Sequence, residues 1–316
     1  LSIEQTLADA VQHQRAGRYA QAEQLYRQVL KDEPRHPVAL NLLGVLAHMA
    51  GQSDVGIKLI RSALDSEPGY VSAHNNLGNV YRDLRQFANA ADCYAEALNI
   101  NPDYSAGYSN LGLAQQALGE LEAAIASFRK ALSLDPGLVG CLINLGGALG
   151  QSGKPEEAIG CLQRALKLTP DDAQVHYNLG VAFRQAGRLA ESVAALQRAV
   201  ELAPDLAKAH SSLGIGLQRL GKLDAALASY RRALALVPDN AHYLCNLASA
   251  LELQGDLDAA LSSYRKALVI DPDLHEAAGS IGSILLALGE LEEGLDMEQQ
   301  GFGVVRFDLQ DGVSIH

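Results

Sequence analysis

Eight of the ten prolines in this chain fall on one arithmetic series: Pro34, Pro68, Pro102, Pro136, Pro170, Pro204, Pro238 and Pro272. The step is 34 residues, without insertion or deletion. A globular domain has no physical reason to punctuate itself so regularly. A stack of like units does, so the period decides the architecture before any helix is assigned. It also bears on function, because a stack offers a long shared surface more readily than a closed catalytic pocket.

When each unit is numbered so that proline is position 32, the units begin at Ile3, Pro37, Val71, Ser105, Val139, Ala173, Ala207, Ala241 and His275. Position 8 is small throughout, as in Ala10, Gly44 and Gly282. Position 15 is Gly in eight of nine units, Arg85 being the exception. Positions 20 and 27 are mostly Ala, and position 24 is bulky in the first eight units, as in Tyr94, Phe128 and Tyr230. Positions 3, 7, 8 and 11 share one face at the helical period, and so do 17, 20, 24, 27 and 28. Each unit therefore reads as two helices. The position-15 Gly makes the turn, since it tolerates the left-handed conformation that ends a helix. Glu122, Glu156, Asp224 and Asp258 open second helices at the positive end of the dipole. Pro155 occupies a first turn, where a missing N–H costs nothing. The position-32 proline stops the second helix. Small residues at 8 and 20 let the pair approach closely, and the bulky residue at 24 fills the space beside them.

This combination resembles the tetratricopeptide repeat, over residues 3–300. The resemblance implies an all-α fold: a right-handed α-solenoid, or superhelix, of tandem helix–turn–helix units, with first helices lining the concave face and second helices the convex face. The expected division is a superhelix over 3–308 of about nine units. Residues 3–36 are cap-like, with Asp9 and His13 where apolar residues are expected. Residues 37–274 hold seven regular units. Residues 275–308 form a degenerate unit, with Glu298 at position 24, Gly301 at 27 and Arg306 in place of proline. The tail 302–316 changes character. Its alternating apolar residues around Asp311–Gly312 read as a β-hairpin that opens a further domain or docks elsewhere, the other reading being a disordered tail. The chain starts at Leu1 rather than Met, which reads as a fragment.

Net charge is −12 and the sequence pI about 5.2, which argues against nucleic acid and against anionic membrane surfaces. No apolar run is long enough to span a bilayer, no N-terminal signal pattern is present, and a cytoplasmic location is expected. The four cysteines make no disulfide framework. Cys93 and Cys161 share a repeat position two units apart, and Cys141 and Cys245 lie on first helices of distant units.

The nine His never take a metal-ligand spacing, and His74, His176 and His210 share position 4, where packing is expected. Gly214-Ile215-Gly216 lies inside a helix pattern, so it is no dinucleotide loop. The run Gly147 to Lys154 misses the phosphate-loop spacing by one residue, and Pro155 replaces the magnesium-binding hydroxyl. No G-x-S-x-G element occurs. The expectation is no cofactor, no metal and no active site within this chain.

One feature suggests function. Position 6 carries Asn76, Asn110, Asn144, Asn178 and Asn246, with Ser212 and Ser280 filling the series and Asn41 one residue early in its unit. Asn costs a helix up to roughly 0.7 kcal/mol per site against Ala, so five of them call for an offsetting benefit. Position 6 lies opposite the packing residues, hence on the concave side. A primary amide carries both donors and an acceptor and can pair with any peptide unit. Amides along a groove could hold an extended segment by its backbone. Neighbouring positions would supply specificity: Asn75, Asn79, Arg82 and Asp83; Gln116; Tyr177, Arg184 and Gln185; Lys208, Gln218 and Arg219. The arrangement resembles the asparagine ladder of O-linked N-acetylglucosamine transferases, which grips substrate peptides. The segments beginning at Ala73 and His176 carry the likeness, while Ser212 and Leu42 interrupt it. The competing reading is structural, with the amides bonded to each other or to adjacent helices. A second hint is Gly140, Gly147 and Gly150 at positions 2, 9 and 12, either a hollow for a bulky partner residue or a locally soft helix.

Three functions follow. The first is a non-enzymatic scaffold that binds an extended peptide or disordered protein segment. The second is the substrate-recruiting arm of a larger modifying enzyme, such as a glycosyltransferase. The third is a self-assembling scaffold, associating through its tail or terminal units.

Overall fold

The computed structural model describes residues 2–302, 305–308 and 312–315. They divide into two compact units that part between Lys154 and Pro155.

The first unit contains nine helices among its described residues: α1 (Ile3–Arg15), α2 (Tyr19–Asp32), α3 (Pro37–Met49), α4 (Ser53–Ser66), α5 (Val71–Asp83), α6 (Phe87–Ile100), α7 (Ser105–Ala117), α8 (Leu121–Leu134) and α9 (Val139–Gln151). The second contains α10 (Pro155–Leu168), α11 (Ala173–Gln185), α12 (Leu189–Leu202), α13 (Ala207–Arg219), α14 (Leu223–Leu236), α15 (Ala241–Gln254), α16 (Leu257–Ile270), α17 (His275–Leu288) and α18 (Leu291–Phe302). Two short antiparallel strands follow, β1 (Val305–Asp308) and β2 (Gly312–Ile315), with Val305 opposite Ile315 and Asp308 opposite Gly312. The turn expected around Asp311–Gly312 falls partly on residues 309–311, outside the described residues.

The turn inside every unit is made at position 15. Gly17, Gly51, Gly119, Gly153, Gly187, Gly221, Gly255 and Gly289 all have positive φ, between 72° and 89°. Arg85 takes the same conformation at φ 60°. The chain thus adopts the left-handed turn even where the side chain opposes it.

Packing within a unit depends on two positions. Tyr94, Phe128 and Tyr230 are fully buried on second helices. A Cβ placed on Gly78, Gly112 or Gly214 would lie 2.6, 2.7 or 2.5 Å from those rings. The first helix can therefore meet the ring only through bare backbone. Gly180 is matched in the same way to Leu196, and Gly44 to Ile60.

Within each compact unit, consecutive first helices touch: α3 with α5, α5 with α7 and α7 with α9, and likewise α11 with α13 and α13 with α15. Consecutive second helices make no comparable contact among the described residues. The first helices thus form the inner face of each compact unit. Together these features define an all-α solenoid of helix pairs. The last pair departs from the rule: α18 buries Glu298 against α17, where the other units place a tyrosine, phenylalanine, leucine or isoleucine.

Candidate functional site

The position-6 amides lie half-buried on the first helices, and most are already bonded. Asn76 Nδ2 donates to Asn41 Oδ1 at 3.1 Å, and Asn110 Nδ2 donates to Asn75 Oδ1 at 2.8 Å. In the second compact unit Asn246 Nδ2 donates to Ser211 Oγ at 3.1 Å. The rule is that position 6 reaches back to position 5 of the unit before it. Asn178 behaves differently and accepts from Gln174 Nε2 at 2.9 Å. Asn144 is half-buried on α9.

This register corrects part of the surface expected from the sequence. Asn41 and Asn75 are only 1 % and 8 % exposed, and they act as acceptors beneath the inner face rather than as groove residues. Ser212 is likewise buried, at 9 %. The signal that could have found this pairing is a polar residue at position 5 exactly one unit before an Asn at 6.

The remaining expected residues divide into clusters. On α5, Arg82 donates to Asp83 through Nε and Nη2, and the other Asp83 oxygen lies 3.2 Å from His48 Nε2. Asn79 accepts the Tyr94 hydroxyl at 2.8 Å. Gln116 Nε2 donates to Gln151 Oε1 at 3.1 Å. In the second compact unit, Lys208 sits 4.6 Å from the centre of the Tyr177 ring and donates to Gln174 Oε1 at 2.8 Å, so Lys208, Gln174 and Asn178 form one chain across α11 and α13. Gln185 is exposed, and Arg184 is half-buried with its Nε buried and unpartnered among the described residues. Gln218, Arg219 and Asn246 line a cavity of about 330 Å³ between α13, α15 and α17.

Two sets of contacts have no counterpart in the sequence reading. The position-4 histidines do more than pack. His74, His176 and His210 donate through Nε2 to the carbonyls of Pro68, Pro170 and Pro204, at 2.9, 2.9 and 3.1 Å, tying each first helix to the proline that ends the preceding unit. The position-24 tyrosines keep their hydroxyls satisfied on the first helix. Tyr26 donates to Gln14 at 2.7 Å, Tyr230 to Gln218 at 2.8 Å and Tyr264 to Glu252 at 3.2 Å. Burial pushes the Tyr26, Tyr94 and Tyr264 phenols up to about 12 and raises Tyr230 as well. Burial also raises the Cys93 and Cys245 thiols to about 11, which keeps them protonated and unreactive.

At Gly140 and Gly147 an added Cβ would meet no atom within 4 Å, so this stretch of α9 faces open space. Among the described residues no group of three His, Cys, Asp or Glu could hold a metal ion. Among the same residues no helix is long and apolar enough to cross a membrane.

Comparison with known proteins adds three findings. The family described as the C-terminal domain of cilia and flagella-associated protein 70, a tetratricopeptide-repeat domain, matches residues 3–242, and the tetratricopeptide repeat itself matches residues 212–275. No curated protein matches the sequence. Solved structures similar to the chain include the Cut9–Hcn1 hetero-tetramer of APC/C (19 % identity, 84 % of this chain and 52 % of that one, TM-score 0.65). Others are PilF of Pseudomonas aeruginosa (24 %, 64 % and 92 %, 0.57) and MamA (28 %, 54 % and 92 %, 0.47).

Proposed function

The chain belongs to the tetratricopeptide-repeat family of that C-terminal domain, a family of protein-interaction scaffolds, and we propose that its inner faces bind extended peptide or disordered protein segments through the position-6 amides. The observation that carries this reading is the way those amides are held. A primary amide has two N–H donors and an oxygen with two lone pairs. Asn76, Asn110 and Asn246 each use one donor on the preceding unit. That bond fixes the orientation of the group and leaves a second donor and the carbonyl for a ligand. An amide already locked in place costs less side-chain entropy on binding than a free one. Internal bonding and ligand binding, set against each other in the sequence, are thus compatible.

Arg184 adds a second support. A buried donor without a protein partner is costly, and an acceptor from a bound segment would satisfy it. The acidic balance of the chain favours partners without a large negative charge.

The test compares wild type with a variant carrying Asn→Ala at 76, 110, 144 and 178, after circular dichroism shows equal helicity. Affinity capture from lysate, read by mass spectrometry, should lose a defined set of partners in the variant. Partners retained by both proteins would relocate binding to the second helices or the tail and reduce the amides to structure.

A further inference from the structure

The cavity between α13, α15 and α17 is lined by charged, polar and apolar side chains together. Two carboxylates on facing helices, Glu252 and Glu276, line it, and neither forms an ion pair among the described residues. One cation, Arg219, reaches the same wall and is likewise outside any such pair. The local charge is therefore net negative. Neutral groups on the wall are mostly committed. Gln218 donates to Ser249 and accepts from Tyr230, so each end of that amide already holds one partner. Asn246 has used one donor on Ser211 and keeps its carbonyl oxygen. The acceptors left on the wall are the Glu276 carboxylate, the remaining capacity of the Glu252 carboxylate, which already takes the Tyr264 hydroxyl, and the Asn246 carbonyl oxygen, beside the Arg219 guanidinium and the second Asn246 N–H as donors.

The titratable wall residues report the same field. The Cys245 thiol is raised by burial and then by the charges of Glu276 and Asp271. The Tyr264 phenol is raised by burial, with Glu252 adding to the rise against an opposing Ser280 bond. Both therefore stay neutral, and neither offers a negative centre of its own.

We propose that this cavity receives an arginine side chain of the segment bound along the first helices, its guanidinium donating to Glu252, Glu276 and the Asn246 carbonyl. The inference rests on the groove reading for the carrier of that side chain, but not for the chemistry of the cavity. A guanidinium suits the site better than an ammonium because its planar fork serves acceptors on separate helices at once. Arg219, at the edge of the same cavity, would limit the affinity by like-charge repulsion.

The experiment titrates Nα-acetyl-arginine methylamide into the full chain and follows backbone amide shifts by NMR, with the norleucine analogue as the uncharged comparison. Saturable shifts centred on α13, α15 and α17 are expected for the arginine probe, with the norleucine probe at least about tenfold weaker. Glu252→Gln with Glu276→Gln should abolish that preference without changing helicity, since glutamine preserves the bond from Tyr264. Arg219→Ala should tighten the arginine probe. Equal shifts from both probes, or an arginine preference that survives the double variant, would overturn the proposal. Either result leaves the Asn→Ala capture experiment unaffected, so the cavity can fail while the groove stands. Arginine-selective shifts in a protein whose partners ignore Asn→Ala would keep the cavity and remove the groove.

Discussion

Arg85 is the one described non-glycine residue with positive φ. Holding an L-residue there costs roughly 1–2 kcal/mol. Glycine at the same place loses more backbone entropy on folding, which offsets part of the gain. Arg85→Gly is therefore expected to raise stability by about 0.5–1 kcal/mol, read as a higher urea midpoint with an unchanged slope. A lower midpoint would mean that the Arg85 side chain makes a contribution larger than its strain. At the same scale, Asn41 and Asn75 show what a single-residue pattern misses. Both are polar and both were expected on the surface, yet each is buried as the acceptor of an amide one unit on. Amphipathic spacing reports which face a residue occupies, but it does not report a partner 35 residues away.

At the scale of the helix pair, glycine at position 8 and the bulky residue at 24 act as one feature. Gly112→Ala would drive a methyl group to within 2.7 Å of the Phe128 ring, and an overpacked contact of this kind costs about 1–3 kcal/mol. A thermal melt should show the loss, and shortening the ring with Phe128→Leu in the same protein should recover part of it. Tyr230→Phe probes the polar half of the same contact. It removes the hydroxyl donated to Gln218 and leaves that amide oxygen short of a partner, for about 1 kcal/mol. The small-large pairing was legible in the sequence, because the two positions alternate in size in every regular unit. The hydroxyl bonds were not, since a tyrosine at position 24 is equally compatible with simple packing. The position-4 histidines follow the same logic: their helical face was readable, and their bond to the preceding proline carbonyl was not.

For the whole molecule, the buried tyrosines set an alkaline limit. An unfolded phenol ionises near pH 10, while Tyr26, Tyr94 and Tyr264 are held up to about 12 in the folded chain. Their contribution is fully present below pH 10 and is lost as pH rises towards 12, because the unfolded state sheds protons first. Each can cost the fold up to about 2 kcal/mol across that window. Thermal midpoints should therefore be flat to about pH 10 and fall steeply above it. A midpoint that stays flat to about pH 12 would remove the buried phenols as the source of the limit.

The period, the helix pair, the position-15 turn and the close approach at position 8 were all determined by the sequence alone. Each depends on residues near one another along the chain, or on a motif repeated often enough to average out exceptions. The placement of the inner-face polar groups was decided only in three dimensions. A hydrogen bond from position 6 to position 5 of the previous unit, and a cavity walled by α13, α15 and α17, depend on the offset between neighbouring units. That offset is set by side-chain packing across the unit junction, which no spacing within one unit encodes.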